Sequence, residues 1–328
     1  MGPRLTTTLA LLCILSPAAG CAGAADPDAA PFGHAAARSA PASGDALPAD
    51  ERLLFSIDYR TGALESWPIQ RTGSNHPTTV AQLGVGVHNA MAADGNTVAV
   101  ATQSAAETLL YDVVTKGTRV LPDPYGTPVD VAIDRNHSLY VLTAGMPPSV
   151  VMYPGGSMQP VQLVCGLVRE PEVIAVDDEG DIFIGAFPKR NYPGVFEIPV
   201  GPGGPNPQSC KKLPLEFTKG VTGLTVDPRT DDLIVLDQPT QCAPGAGRIV
   251  IYPKPYEKNT GETHYLHANC PAGLKLNAGS TIIFYGDTDA SGGASLIRSS
   301  TYPAIRKSGS YSHGAPLGLA TIPNELPN

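Results

Sequence analysis

The chain has 328 residues and a formal net charge of −8, and its 22 Lys and Arg residues form no cluster. Nucleic-acid binding runs on phosphate neutralisation, so this balance speaks against that class of partner. A hydrophobic share of 42% can bury a core, and 35 Gly with 33 Pro, about a fifth of the chain, point to many turns between short strands.

Residues 1–20 carry one cation, Arg4, then an apolar run over 9–15 and the small residues of 16–20. That is the pattern of a secretory signal peptide, too short in its apolar run to span a bilayer. Ala18-Ala19-Gly20-Cys21 resembles a bacterial lipobox, in which Cys21 becomes the lipidated first residue. Ala18 stands where that pattern has Leu, and cleavage after Ala22-Gly23-Ala24 is the alternative, giving a plain secreted protein. Residues 21–50 are rich in Ala, Pro, Ser, Gly and Asp and have too little apolar surface to offset ordering entropy, so they read as a disordered tether. Such a tether spans about 30 Å. The folded domain is expected over 51–328.

Within that domain one phrase returns. Residues 128–144, PVDVAIDRNHSLYVLTA, read as a short apolar strand ending in Asp134, a polar turn and a second apolar strand. Versions of it occupy 88–102 around Asp94, 170–186 around Asp177, 221–237 around Asp227 and 272–287 around Asn277, and a truncated copy closes the chain around Ile322. The anchors lie 40, 43, 50, 50 and 45 residues apart. Repeats of about 40–50 residues with several short strands are the mark of a β-propeller.

The interior of each unit supplies third and fourth strands, for example 149–153 and 160–164, 195–200 and 213–217, and 248–252 and 263–266. Each is bounded by turn residues, as strand chemistry requires. The last unit has a first strand only, whereas 53–57, 63–69 and 78–83 look like strands two to four of a unit. Pairing the C-terminal strand with these N-terminal strands completes a sixth blade and removes an open sheet edge. The expected fold is all-β, a six-bladed propeller closed in this way.

The phrase P-x-x-[apolar]-A-[apolar]-D before an apolar strand resembles the NHL family of repeats and, more loosely, the gluconolactonase-like propellers. Ala92, Ala132, Ala175 and Ala320 are small residues at equivalent places, letting innermost strands crowd together. The anchor Asp is expected to bond the turn that follows it.

Four cysteines fall in the domain, Cys165, Cys210, Cys242 and Cys270, and export favours disulfides over metal ligation. Cys242 lies between strands two and three of its blade and Cys270 just before strand one of the next. Those loops share a face, which favours Cys242–Cys270 and leaves Cys165–Cys210 by elimination.

Loops entering the innermost strands surround the channel mouth. They bring His88, Asn89, Asp130, Glu170, Glu172 and Thr222, with Lys275 further down and His313 beside the closing blade. Carboxylates, an amide and imidazoles around one mouth suit a polar ligand or a divalent cation such as calcium, and equally suit a solvated polar rim. The gluconolactonase resemblance implies a channel metal, with Glu172, Asn89 and Asp130 as candidate ligands. The N-G and D-G signatures of that group are absent here, and Gly223, Gly273 and Gly318 stand at three equivalent positions. Elsewhere, residues 287–292 (D-x-D-x-S-G) look like the start of a calcium loop, but the twelfth position is Arg298 and a hairpin tip fits better.

Three functions follow: an exported, lipid-anchored module binding a protein or small molecule, a metal-dependent lactonase-type hydrolase, and a structural component of the envelope. The membrane enters only through the lipid anchor.

Overall fold

The computed structural model describes residues 53–322, apart from 59–60, 70–76, 84–87, 104–105, 156, 187–193, 217–219, 239–244, 246, 258–259, 278, 289–294 and 314–315. The side chains of 88–89, 288, 295, 308, 312–313, 316–317 and 322 also fall outside the described set. The signal peptide, the tether, Cys21 and Cys242 therefore lie beyond it.

The strands follow the repeat. Blade 1 holds β1 (Leu53–Asp58), β2 (Ala63–Pro68) and β3 (Thr78–Gln82), and blade 2 holds β4 (His88–Asp94), β5 (Thr97–Thr102), β6 (Glu107–Asp112) and β7 (Thr118–Pro122). Blade 3 is β8 (Pro128–Ile133), β9 (Leu139–Thr143), β10 (Ser149–Tyr153) and β11 (Val161–Leu163). Blade 4 is β12 (Pro171–Val176), β13 (Ile182–Ala186) and β14 (Gly194–Ile198), then a hairpin of β15 (Val200–Gly201) and β16 (Gly204–Pro205), then β17 (Lys211–Lys212). Blade 5 is β18 (Val221–Val226), β19 (Leu233–Asp237), β20 (Arg248–Tyr252) and β21 (Glu262–Tyr265). Blade 6 is β22 (Pro271–Leu276), β23 (Ile282–Thr288), β24 (Ser295–Thr301) and β25 (Arg306–His313), and β26 (Pro316–Ile322) ends the described chain.

Each blade is a four-stranded antiparallel sheet, and β26 adds to β1 to complete blade 1 in the order β26-β1-β2-β3. Leu53 pairs with Ile322 and Phe55 with Ala320. Each innermost strand packs on the next, with β26 against β4 and β22 against β26, so the ring is closed. The protein is a six-bladed β-propeller.

Its apolar core is divided into six wedges, each between successive blades. Blades 1 and 2 share Phe55, Met91, Val100 and Ala320; blades 2 and 3 share Ala92, Ala99, Val131 and Leu139. Blades 3 and 4 share Ala132, Leu142, Ile174 and Ile184, and blades 4 and 5 share Ala175, Phe183, Leu224 and Val235. Leu236 and Leu274 lie between blades 5 and 6, and Leu54, Trp67, Phe284 and Tyr311 between blades 6 and 1. The four equivalent alanines are thus wedge residues. Strands buried on both faces read as continuous apolar runs, as β9, β13 and β19 do.

Polar bonds stitch the same wedges. On the third strands, the Tyr111 hydroxyl donates to the Val80 carbonyl at 2.9 Å, Tyr153 to Pro122 at 2.8 Å and Tyr252 to Glu216 at 2.6 Å. Each reaches the outer part of the preceding blade and contributes about 1 kcal/mol. The anchor side chains also behave as expected: Oδ1 of Asp134 accepts from the backbone of Asn136 and Ser138, and Oδ1 of Asn277 from Thr281 and Ile282.

Two expectations change. Asp94 closes a two-residue turn with Gly95 at φ +52, and its carboxylate pairs with His137 of blade 3 at 2.5 Å. The fourth strand of blade 4 is Lys211–Lys212, not 213–217. Leu213 and Leu215 alternate like a strand because both side chains turn into the wedge with blade 5. The Cys165–Cys210 disulfide expected by elimination is present, with Cα atoms 5.7 Å apart. Cys165 follows β11 and Cys210 precedes β17, and both pack in the wedge between blades 3 and 4. Lateral contact between blades brings them together, which a map of loop faces does not show. Cys270 is also disulfide-bonded, while its expected partner Cys242 lies outside the described residues.

Wedge packing makes a sharp demand at Gly223, where a Cβ would fall 2.7 Å from Leu274 Cβ and 3.0 Å from Leu236 Cβ. Gly223→Ala is expected to destabilise by about 1–3 kcal/mol in urea unfolding. Gly166→Ala, with nothing within 4 Å of the added carbon, is the control expected to leave the midpoint unchanged.

Candidate functional site

The innermost strands share one irregularity at the end where they begin. Register slips by a residue between His88 and Ala90, Pro128 and Asp130, Pro171 and Val173, Val221 and Gly223, and Ala272 and Leu274. The seam of β26 with β1 slips too, between Ser56 and Asp58. A bulge leaves one residue unpaired and re-aims side chains. The residues skipped are Asn89, Val129, Glu172, Thr222 and Gly273, a ring at the channel mouth. The sequence placed Asn89, Glu172 and Thr222 at this level. Val129 and Gly273 show that the polar set does not run right round it.

The candidates meet different fates. Glu172 is exposed, and the Thr222 hydroxyl is taken by the Pro271 carbonyl of blade 6 at 3.0 Å. Glu170 is half-buried. The backbones of His88 and Asn89 lie in β4 and that of His313 in β25, with side chains outside the described set.

Asp130 points inward. It is 5% exposed, and its two oxygens accept from the amides of Val131 and of Ile174 in blade 4, each at 2.7 Å. Its carboxylate therefore staples blade 3 to blade 4. Burial pushes its pKa up to about 6, opposed first by the positive charge of Lys275 and then by the two amide bonds. Blades 3 and 6 are opposite members of the ring, and the charge of Lys275 acts on Asp130 from the opposite blade. Sequence reading placed both residues near the mouth but not this coupling. Aligning the repeats would have exposed it, because Lys275 stands where other blades carry Ala92, Ala132, Ala175 and Ala320.

Asp287, the first residue of the calcium-like stretch, is also structural. Oδ1 accepts from the amides of Asn269 and Cys270 at 2.7 and 3.2 Å, and Oδ2 pairs with Arg298 Nε at 2.5 Å. Arg298 is the residue that breaks the calcium pattern in sequence. Blade 5 repeats the device with Asp237 and Arg248 at 2.8 Å. Residues 289–294 of that stretch lie outside the described residues.

No protein-family model matches the chain, and no curated protein matches it in sequence. Solved structures do match in fold. The chain resembles one from a nidogen/laminin complex at 14% identity and TM-score 0.66, covering 84% of this chain and 99% of that one. It resembles TolB from Acinetobacter baumannii at 14% identity and TM-score 0.63, with 84% and 68% covered. A chain of Kuenenia stuttgartiensis hydrazine synthase follows at 12% identity and TM-score 0.51, with 66% and 63% covered. At these identities the likeness shows the propeller fold alone.

The staple at Asp130 makes a prediction with a definite sign. An unfolded Asp titrates near 3.8 and the folded Asp130 near 6, so between those values the folded state holds more protons and falling pH favours it. Asparagine cannot take up that proton, and its amide nitrogen must face one of two backbone donors. Asp130→Asn is expected to lose about 1–3 kcal/mol at pH 7, and the wild-type advantage is expected to grow as pH falls from 7 to 5. Urea unfolding at both values checks this, and an advantage that shrinks toward pH 5 would contradict it.

Proposed function

We propose that this chain is an exported interaction module of the NHL-repeat-like kind, lipid-anchored through Cys21, that binds a protein partner on the face where loops enter the innermost strands. The observation carrying this reading is Asp130. A channel metal of the lactonase type would need its oxygens, yet both accept backbone amides, and the opposing charge is a lysine of the same chain. That favours binding over the hydrolase alternative.

Export is supported by the Cys165–Cys210 disulfide, since such bonds persist in oxidising compartments. A protein partner is supported by the nidogen chain of the same fold, solved in a complex with laminin. The face itself offers rigid loops. Leu167, about half exposed, sits between the bridged Cys165 and the buried Val168, so its side chain is presented with little entropy left to lose on binding. Glu172 lies on the next innermost strand, and His88, Asn89 and His313 are assigned to the rim of the same face.

A photo-crosslinking residue placed at Leu167 should yield a discrete crosslinked polypeptide in the producing cell. The same group at Val114, exposed on the opposite face, should not. Equal products from both positions, or none from Leu167, would contradict the assignment.

A further inference from the structure

The turn leaving the innermost strand of blade 4 departs from its counterparts in one chemical respect. In blades 3, 4 and 5 the anchor aspartate uses Oδ1 alike: Asp177 accepts from the amides of Glu179 and Asp181 at 3.0 and 2.8 Å, and Asp227 from that of Arg229 at 3.0 Å. The second oxygen is where they part. Asp134 Oδ2 accepts from the Tyr140 hydroxyl at 2.9 Å, and Asp227 Oδ2 from the Thr230 hydroxyl at 3.3 Å. Blade 4 has Phe183 where blade 3 has Tyr140, each opposite the equivalent alanine of its innermost strand. Asp177 Oδ2 is left buried without a hydrogen bond, on a side chain with 0% exposure.

Other carboxylates lie close to Asp177. Single oxygens of Asp177, Glu179 and Asp181 all lie within 4.8 Å of one another. Ligands held 2.3–2.6 Å from one calcium ion are separated by at most about 5 Å, so the spacing fits a shared ion. Among the described residues the cation beside them is Lys254 of blade 5. Its Nζ is 2.9 Å from Glu179 Oε2, 3.4 Å from Asp231 Oδ2 and 3.7 Å from Asp177 Oδ2. The last distance is too long for a hydrogen bond. One ammonium is thus shared among three carboxylates, with Asp181 a further acid of the cluster. Burial pushes the pKa of Asp177 up to about 6, against the bond from the Asp181 amide; the Asp181 charge adds to the rise and Lys254 opposes it.

We propose that Asp177, Glu179 and Asp181, with Asp231 across the blade boundary, form a site for a hard divalent cation of the calcium class, and that Lys254 is its resident counter-ion when the cation is absent. The Asp177 oxygen, buried and without a hydrogen bond, is the independent sign of a ligand. Hard cations prefer oxygen donors of this kind, with carbonyls and water completing the shell. The ion would tie a turn of blade 4 to one of blade 5, on the face opposite the proposed protein-binding loops, so the site stands or falls independently of that function.

Isothermal titration of the chelator-treated protein with calcium chloride tests it. Wild type should bind one ion. Lys254→Ala should bind about tenfold more tightly, since the competing ammonium is gone. Glu179→Gln should bind at least about tenfold more weakly; Glu179 is 60% exposed, so the fold should survive, checked by circular dichroism. Asp130→Asn should titrate as wild type does. No calcium binding by Lys254→Ala, wild-type affinity in Glu179→Gln, or loss of binding in Asp130→Asn would each overturn the proposal.

Discussion

The structure depends on contact between neighbouring blades rather than on a single central core. Six wedges of apolar side chains hold it, and each half-wedge is useless until the next blade is in place. The largest buried rings illustrate this. Trp67 of blade 1 meets Tyr311 of blade 6 edge-on at 6.4 Å, and that wedge exists only because β26 returns to β1. Exposing the six faces separately would leave long apolar strands and open edges, which is the hazard that closure removes.

From this constraint comes the economy of the polar groups. The buried carboxylates are mostly structural: Asp134 and Asp227 close turns as the repeat suggests, Asp130 and Asp287, weighed as ligands in the sequence, bond the next blade and an arginine, and Asp237 holds an arginine too. A buried carboxylate with its oxygens satisfied by amides or a guanidinium costs little and fixes geometry. Interest attaches to the places where that economy fails. Asp177 is such a place, because blade 4 has Phe183 where blade 3 has Tyr140 and the second oxygen lies among other acids.

The architecture was legible because the repeat carries it. A strand pair with a fixed turn, counted six times, gives blade number and closure without knowledge of any contact. What escaped depended on contacts between repeats. Leu213 and Leu215 looked like a strand because alternation looks the same whether a segment pairs or simply packs. Cys165 and Cys210 could be joined only by elimination, since their meeting is lateral. For Asp130 the position at the channel end was readable, but not the direction of its side chain. Lys275 and Lys254 become meaningful only once the ring is closed and opposite or adjoining blades are known.

Closure by β26 is the central claim, and removing that strand tests it most directly. A chain ending at His313 keeps five complete blades and three strands of the sixth. Equilibrium urea unfolding, followed by tryptophan fluorescence from Trp67 in the affected wedge, should show the full-length domain losing structure in one cooperative transition. The shortened chain should lack that transition or show it at a much lower midpoint. The same midpoint and steepness in both chains would contradict the account.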